Sequence, residues 1–208
     1  MTSAAVNNAL WGVSLVLQLG LLALVVSRGL ARRVVSFTVL VAFYPVRSLV
    51  LFALGGRLAP ASYVQVYDAL AVLGLVLQLA VAAQICAKLV RLRWGWWGAV
   101  AGVVGAWVSS VGVVAVAGRS PVPVDRMEAF CSGVMVLLCG WAWMGGAPRV
   151  VRVIVAGLAA YGVVDLVASV GKAVAAAHRD ARGFAGWAYA SSVVYIAVVV
   201  LWMVALRD

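Results

Sequence analysis

The sequence is poor in the residues from which catalytic and metal sites are usually built. Among its 208 residues are six acids, a single histidine, His178, and three cysteines. One histidine excludes a bis-histidine haem site within the chain and disfavours a histidine-based metal site. The cysteines lie in apolar runs without a CxxC spacing, which is typical of small buried side chains. We therefore predict no catalytic residues, no metal, no cofactor and no enzyme activity.

Charge of either sign is also scarce. Charged residues make up 11% of the chain, less than half of the roughly 25% that is usual in soluble proteins. Hydrophobic residues make up 66%, and the mean hydropathy is +1.13. This composition predicts an integral membrane protein whose residues 1–208 form a single transmembrane domain surrounded by lipid. The net charge of +10 does not indicate nucleic acid, because the positive residues lie at the ends of the apolar runs.

Seven apolar runs have the roughly twenty residues that a helix needs to cross about 30 Å of hydrocarbon. The connections between them are short, so that consecutive helices should be neighbours. The predicted fold class is therefore all-α, a seven-transmembrane-helix up-and-down bundle. The predicted spans are 8–27, 34–54, 64–87, 96–117, 127–145, 151–170 and 184–206.

The distribution of lysine and arginine predicts the orientation. The first, third and fifth connections together with Arg207 hold nine positive residues, and the even-numbered connections hold six. Positive residues favour the cytoplasmic side, which places the N-terminus outside and the C-terminus in the cytoplasm. Arginine outnumbers lysine, and alanine, valine and glycine are abundant. This usage indicates a bacterial source, and hence the inner (plasma) membrane.

The second span contains a charged residue, Arg47, well inside its apolar run. A charge at that depth is costly unless it faces the protein interior, water or an opposite charge. One interpretation is a polar cavity that opens outward, in which Arg47 binds an anionic or carbonyl group of a ligand. The alternative is an internal ion pair of Arg47 with Asp165 or Asp68 that fixes the packing of the helices.

Other polar side chains should share this depth. In the predicted topology, polar groups of five spans fall in the outer half of the membrane, several on a common helix face. Lys172 lies at the outer end of the sixth span, where it can reach the interface. The seventh span has no lysine, which disfavours a retinal protein. The candidate residues for ligand binding or ion pairing are Arg47, Asp68, Asp165, Tyr44, Tyr67, Tyr161, Lys172, Glu128 and Tyr195.

Three segments carry a resemblance to known proteins. They are FYPVRSLVLF around Arg47, YVQVYDAL with Tyr63 and Tyr67, and the pair Tyr195 and Trp202 of the seventh span. Because of these three segments, the chain over its whole length resembles uncharacterised small bacterial seven-helix integral membrane proteins. The resemblance implies the fold and no activity.

Three functions remain open on the sequence. The first is a non-enzymatic sensor or carrier that binds a small molecule in the outer polar cluster around Arg47. The second is an accessory or scaffold subunit of a larger membrane complex, with a membrane-protein partner or a second copy of the chain. A membrane enzyme with Asp68 and Asp165 as paired carboxylates is the third and most distant.

Overall fold

The computed structural model of the chain describes residues 3–90, 123–144 and 146–207. These residues form six α-helices and one short 3₁₀-helix, Leu30–Arg32, and contain no β-strand, in agreement with the all-α prediction. The predicted span at 96–117 lies outside them. The helices are α1 (Ser3–Ser27), α2 (Val35–Leu54), α3 (Pro60–Val90), α4 (Pro123–Met144), α5 (Arg149–Ala177) and α6 (Ala181–Ala205).

Five of these helices are long and apolar enough to cross a membrane, which is compatible with a membrane protein. α4 contributes a shorter apolar stretch, Cys131–Met144. The five stretches are Asn8–Ser27, Val35–Leu54, Pro60–Ala87, Arg149–Lys172 and Arg182–Ala205.

Several helices extend beyond the predicted spans, α3 and α5 at both ends. α3 begins at Pro60, because the fixed φ of proline suits a first helical turn, where its missing N–H is not needed. α5 continues past residue 170 to Ala177, because the alanine-rich end of this segment favours helix although it is no longer uniformly apolar. Arg179 then turns the chain with a positive φ of 55°. Asp180 caps α6, since its Oδ1 accepts the backbone N–H groups of Arg182 and Gly183 at 3.1 and 3.0 Å.

The described helices pack in a ring. Each of α1 to α5 contacts the next described helix in the chain, and α6 contacts α1. The start of α1 meets the end of α2, where Trp11 and Phe52 stack with ring centroids 4.4 Å apart. The start of α2 meets the end of α3, where the backbone N–H of Ser36 donates to Gln84 Oε1 at 3.2 Å.

Buried apolar side chains concentrate at one end of this ring, which we call the closed end. They come from the last parts of α1, α3, α4 and α6 and the first parts of α2 and α5. Because lipid tails are as apolar as these side chains, close packing stabilises this core rather than removal from water. Its principal side chains are Leu21, Val25, Phe37, Leu40, Ile85, Met135, Trp141, Ile154 and Trp202.

Trp202 joins three helices at the closed end. Its indole packs edge-to-face on Phe37 of α2 with centroids 5.2 Å apart. Its Nε1 donates to the backbone carbonyl of Val153 in α5 at 3.2 Å. The same ring lies directly against Gly157, where any Cβ would collide with it. Glycine at 157 therefore permits the close approach of α5 and α6.

We predict that Gly157→Ala destabilises the protein by about 1–3 kcal/mol, because the added methyl group overpacks the Trp202 indole. Thermal unfolding in detergent measures the effect. Gly186→Ala on α6 is the matched control. Nothing in the described part of the chain lies within 4 Å of a Cβ there, so the control should be neutral or stabilising by up to about 1 kcal/mol. Equal stabilities of the two variants would contradict the close Gly157–Trp202 packing.

Candidate functional site

The end of the ring opposite the closed end contains a cavity of about 620 Å³, which we call the main cavity. Its walls are the first half of α1, the second half of α2, the start of α3 and the middle of α5 and α6. The sequence did not predict a contribution from α1, and among the residues whose side chains the structure describes, none of α4 lines this cavity. The polar residues in its lining are Asn8, Ser14, Gln18, Tyr44, Arg47, Ser48, Tyr63, Tyr161, Ser191, Ser192 and Tyr195.

Arg47 lies in the wall of the main cavity, two residues after Pro45 in α2. It is partly buried, and its guanidinium lies over the Tyr67 ring of α3, 5.3 Å from the ring centroid. Such a contact contributes about 0.5–1 kcal/mol at partly exposed sites. Within the described residues Arg47 makes no ion pair. The charge is thus stabilised by an aromatic face and by the cavity that it lines.

A second, small cavity of about 50 Å³ lies behind Arg47. Tyr44, Arg47 and Tyr161 line both cavities and form the wall between them. Asp165 lines only the small cavity. A polar space of this size can hold a few water molecules, so that water can carry hydrogen bonds between Arg47 and Asp165.

Three tyrosines hold one another in place in this wall. Tyr195 of α6 contacts both Tyr44 of α2 and Tyr161 of α5, each in an edge-to-face arrangement with centroids 5.6 Å apart. The Tyr44 hydroxyl also accepts a hydrogen bond of 3.0 Å from Gln78 Nε2 of α3. Four helices therefore fix the position of the wall that carries Arg47. Edge-to-face pairs of this kind contribute about 0.5–1.5 kcal/mol each.

Two further polar groups of the main cavity are buried and have no hydrogen-bond partner among the described residues. Gln18 is 5% exposed, and its Nε2 donates to Ser14 Oγ at 3.1 Å while its Oε1 accepts nothing. The Ser191 Oγ is likewise unpartnered. A buried polar group without a partner costs about 1–3 kcal/mol. The sequence argument put Gln18 in the inner half of the membrane and missed it as a cavity residue. The sequence feature that could have identified Gln18 is its spacing of four residues from Ser14, which puts both side chains on one face of α1.

The predicted site residues divide into three groups. Tyr44, Arg47, Tyr161, Asp165 and Tyr195 come together around the two cavities, and Tyr67 joins them through Arg47. Asp68 and Lys172 line neither cavity, although both are partly buried. Glu128 falls in α4, but its side chain is outside the described residues.

Lys172 is the last residue of the apolar stretch Arg149–Lys172, which agrees with its predicted place at the end of the sixth span, and α5 continues five residues beyond it. His178 is in the exposed turn between α5 and α6. Within residues 3–90, 123–144 and 146–207, no group of three or more histidine, cysteine or acidic side chains could hold a metal ion.

Comparison with protein-family models, with curated proteins and with solved structures finds no match for this chain. The observations that bear on function are therefore the apolar helices, the main cavity and the state of Arg47.

We predict that Arg47→Gln changes the free energy of unfolding by no more than about 1 kcal/mol, because it removes a cation–π contact and breaks no ion pair among the described residues. Removing one partner of a buried ion pair would instead cost about 3–5 kcal/mol. Arg57→Gln, in the exposed turn after α2, is the matched control for loss of one arginine. Thermal unfolding of both variants measures whether the loss of Arg47 lowers stability more than the loss of Arg57. A large loss of stability in both Arg47→Gln and Asp165→Asn would contradict this prediction. If the double variant then lost no more stability than either single variant, the two residues would form a structural ion pair.

Proposed function

We propose that this chain is a non-enzymatic ligand-binding membrane protein, a sensor or a solute carrier, whose ligand occupies the main cavity and contacts Arg47. The observation that carries the proposal is an arginine that lines a large cavity and has no ion-pair partner among the described residues. A charged side chain inside the membrane is energetically costly, and such residues usually belong to a functional site.

The size and walls of the main cavity support this proposal. Its volume of about 620 Å³ falls within the range of about 300–1,000 Å³ that is usual for small-molecule sites. Its lining combines apolar and aromatic side chains with a few polar groups, as such sites do. Among the described lining residues of both cavities there is no histidine or cysteine, and Asp165 is the one carboxylate. For this reason the proposal assigns binding to the site and no chemistry.

We further propose the seven-helix up-and-down topology with the N-terminus outside. The contacts of helix ends support alternating directions for α1, α2 and α3, and for α4, α5 and α6. α3 and α4 both end in the closed-end core, so one further crossing between them is needed, and the sequence predicts a span at 96–117, outside the described residues.

The orientation that we propose makes the closed end cytoplasmic. The connection between α1 and α2 and the start of α5 lie at that end and carry several arginines, which favour the cytoplasmic side. The main cavity then opens to the outside of the plasma membrane. A bacterial source, together with the resemblance to small bacterial seven-helix proteins, is part of the same proposal.

The alternative function is an accessory or scaffold subunit of a larger membrane complex, or a subunit of a homo-oligomer. The observation that favours it is the brevity of the described connections. α1 and α2, α2 and α3, and α5 and α6 are joined by turns of a few residues. Of these, the turn between α1 and α2 is cytoplasmic in the proposed orientation, and it is too short to form a module through which a sensor could act alone. The exposed apolar faces of α1, α2 and α6 fit lipid or a partner helix equally well.

Purification from native membranes in mild detergent, followed by mass spectrometry of small molecules and proteins, tests the proposal. We expect a small molecule to accompany the wild-type chain and Arg57→Gln, and to be lost from Arg47→Gln, because only Arg47 lines the main cavity. Absence of any small molecule together with a stoichiometric protein partner would establish the subunit alternative instead.

A further inference from the structure

We infer that the ligand of the main cavity is a small organic anion with an aromatic or similarly apolar body, whose anionic group is held by Arg47. This inference rests on the proposed binding function and specifies its ligand class. It draws on three independent features of the cavity: its charge, its unpartnered polar groups and its aromatic mouth.

The described lining of the main cavity carries charge of one sign. Arg47 is the one ionised side chain among the described residues that line it. An ammonium group placed there would meet a like charge in surroundings of low dielectric constant, whereas a carboxylate or phosphate would gain an opposite one. The planar guanidinium can also donate two parallel hydrogen bonds to such a group. The lining therefore selects anions over cations.

The polar groups beside Arg47 indicate that the cavity is shaped for a hydrogen-bonding head group. Gln18 Oε1 and Ser191 Oγ belong to lining residues, are buried and lack partners. Gln18 lies one helical turn deeper than Ser14 on α1, and Ser191 one turn from Tyr195 on α6. The desolvation cost of both groups is recovered if small side-chain rotations bring them to a polar ligand.

The walls nearer the helix ends suit the rest of the ligand. Trp11 and Phe52 stack almost parallel, with an interplanar angle of 16°. Leu10 and Leu51 add aliphatic surface near the same helix ends. An apolar body that lies against these side chains would leave its anionic end free to reach Arg47.

Asp165 provides a separate test, because it lines the small cavity together with Arg47, on the other side of the wall from the main cavity. Its negative charge opposes a bound anion through the small cavity. Removing that charge should strengthen anion binding by a factor of about five or more, because like charges repel more strongly in surroundings of low dielectric constant than in water. Loss of the Arg47 charge should have the opposite effect.

The test uses three probes that share one body and differ in charge: 3-phenylpropionate, the neutral 3-phenylpropionamide and the cationic 3-phenylpropylamine. Calorimetric titration of the full chain in lipid nanodiscs gives their affinities. We expect 3-phenylpropionate to bind at least about tenfold more tightly than the amide, and the amine to bind most weakly. Arg47→Gln should abolish the preference for the anion, and Arg57→Gln should retain it.

Two further variants test the neighbouring groups. Asp165→Asn should tighten the binding of 3-phenylpropionate and leave that of the amide nearly unchanged. Gln18→Leu should weaken it about threefold to tenfold through the loss of one hydrogen bond. Gln65→Leu, at an exposed position of α3 outside both cavities, is its control.

Several results would overturn the inference. They are equal or tighter binding of the amine, a preference for the anion that survives Arg47→Gln, and failure of 3-phenylpropionate to bind at all. A neutral or cationic molecule that accompanies the purified chain and depends on Arg47 would refute the anionic class while the proposed binding function stands. Absence of any accompanying molecule would count against the function itself.

Discussion

The structure depends on how a positive charge is held inside an apolar helical bundle. Within the described residues Arg47 has no ion-pair partner, and it rests on the Tyr67 ring at the edge of a water-sized space and of a much larger one. Charge on an apolar span is tolerated where it meets polar surroundings. Here those surroundings are a wall of tyrosines from three helices, held by ring contacts and by the hydrogen bond from Gln78.

The two ends of the bundle differ in packing and in role. At the closed end, small residues such as Gly157 let α5 approach α6 so closely that the Trp202 indole can reach a backbone carbonyl. That packing fixes the helices over about half their length. At the other end the same helices stay apart, and the space between them is the main cavity. Because the closed end is tightly packed, the helices hold the polar side chains of the open end in position, as in a pre-formed binding site.

Much of this was predictable from hydropathy and spacing. Six of the seven predicted spans coincide with described helices, because long apolar runs leave few alternatives to helix. The convergence of Tyr44, Arg47, Tyr161 and Tyr195 followed from their common depth. The depth of a residue in the membrane does not determine which side of the helix faces the cavity. Asp68 lies near Arg47 in depth but lines neither cavity. The involvement of Gln18 depends on how α1 packs against α6, which periodicity alone does not specify.

The central claim is that the cavity around Arg47 is reached from outside the cell. Ser48→Cys places a thiol in its lining, one residue from Arg47, whereas the native Cys86, Cys131 and Cys139 lie outside that lining. A membrane-impermeant thiol reagent applied to intact cells measures access directly. The account predicts rapid labelling of Ser48→Cys and none of the wild-type chain. Labelling only after the membrane is opened, or no labelling from either side, would contradict it.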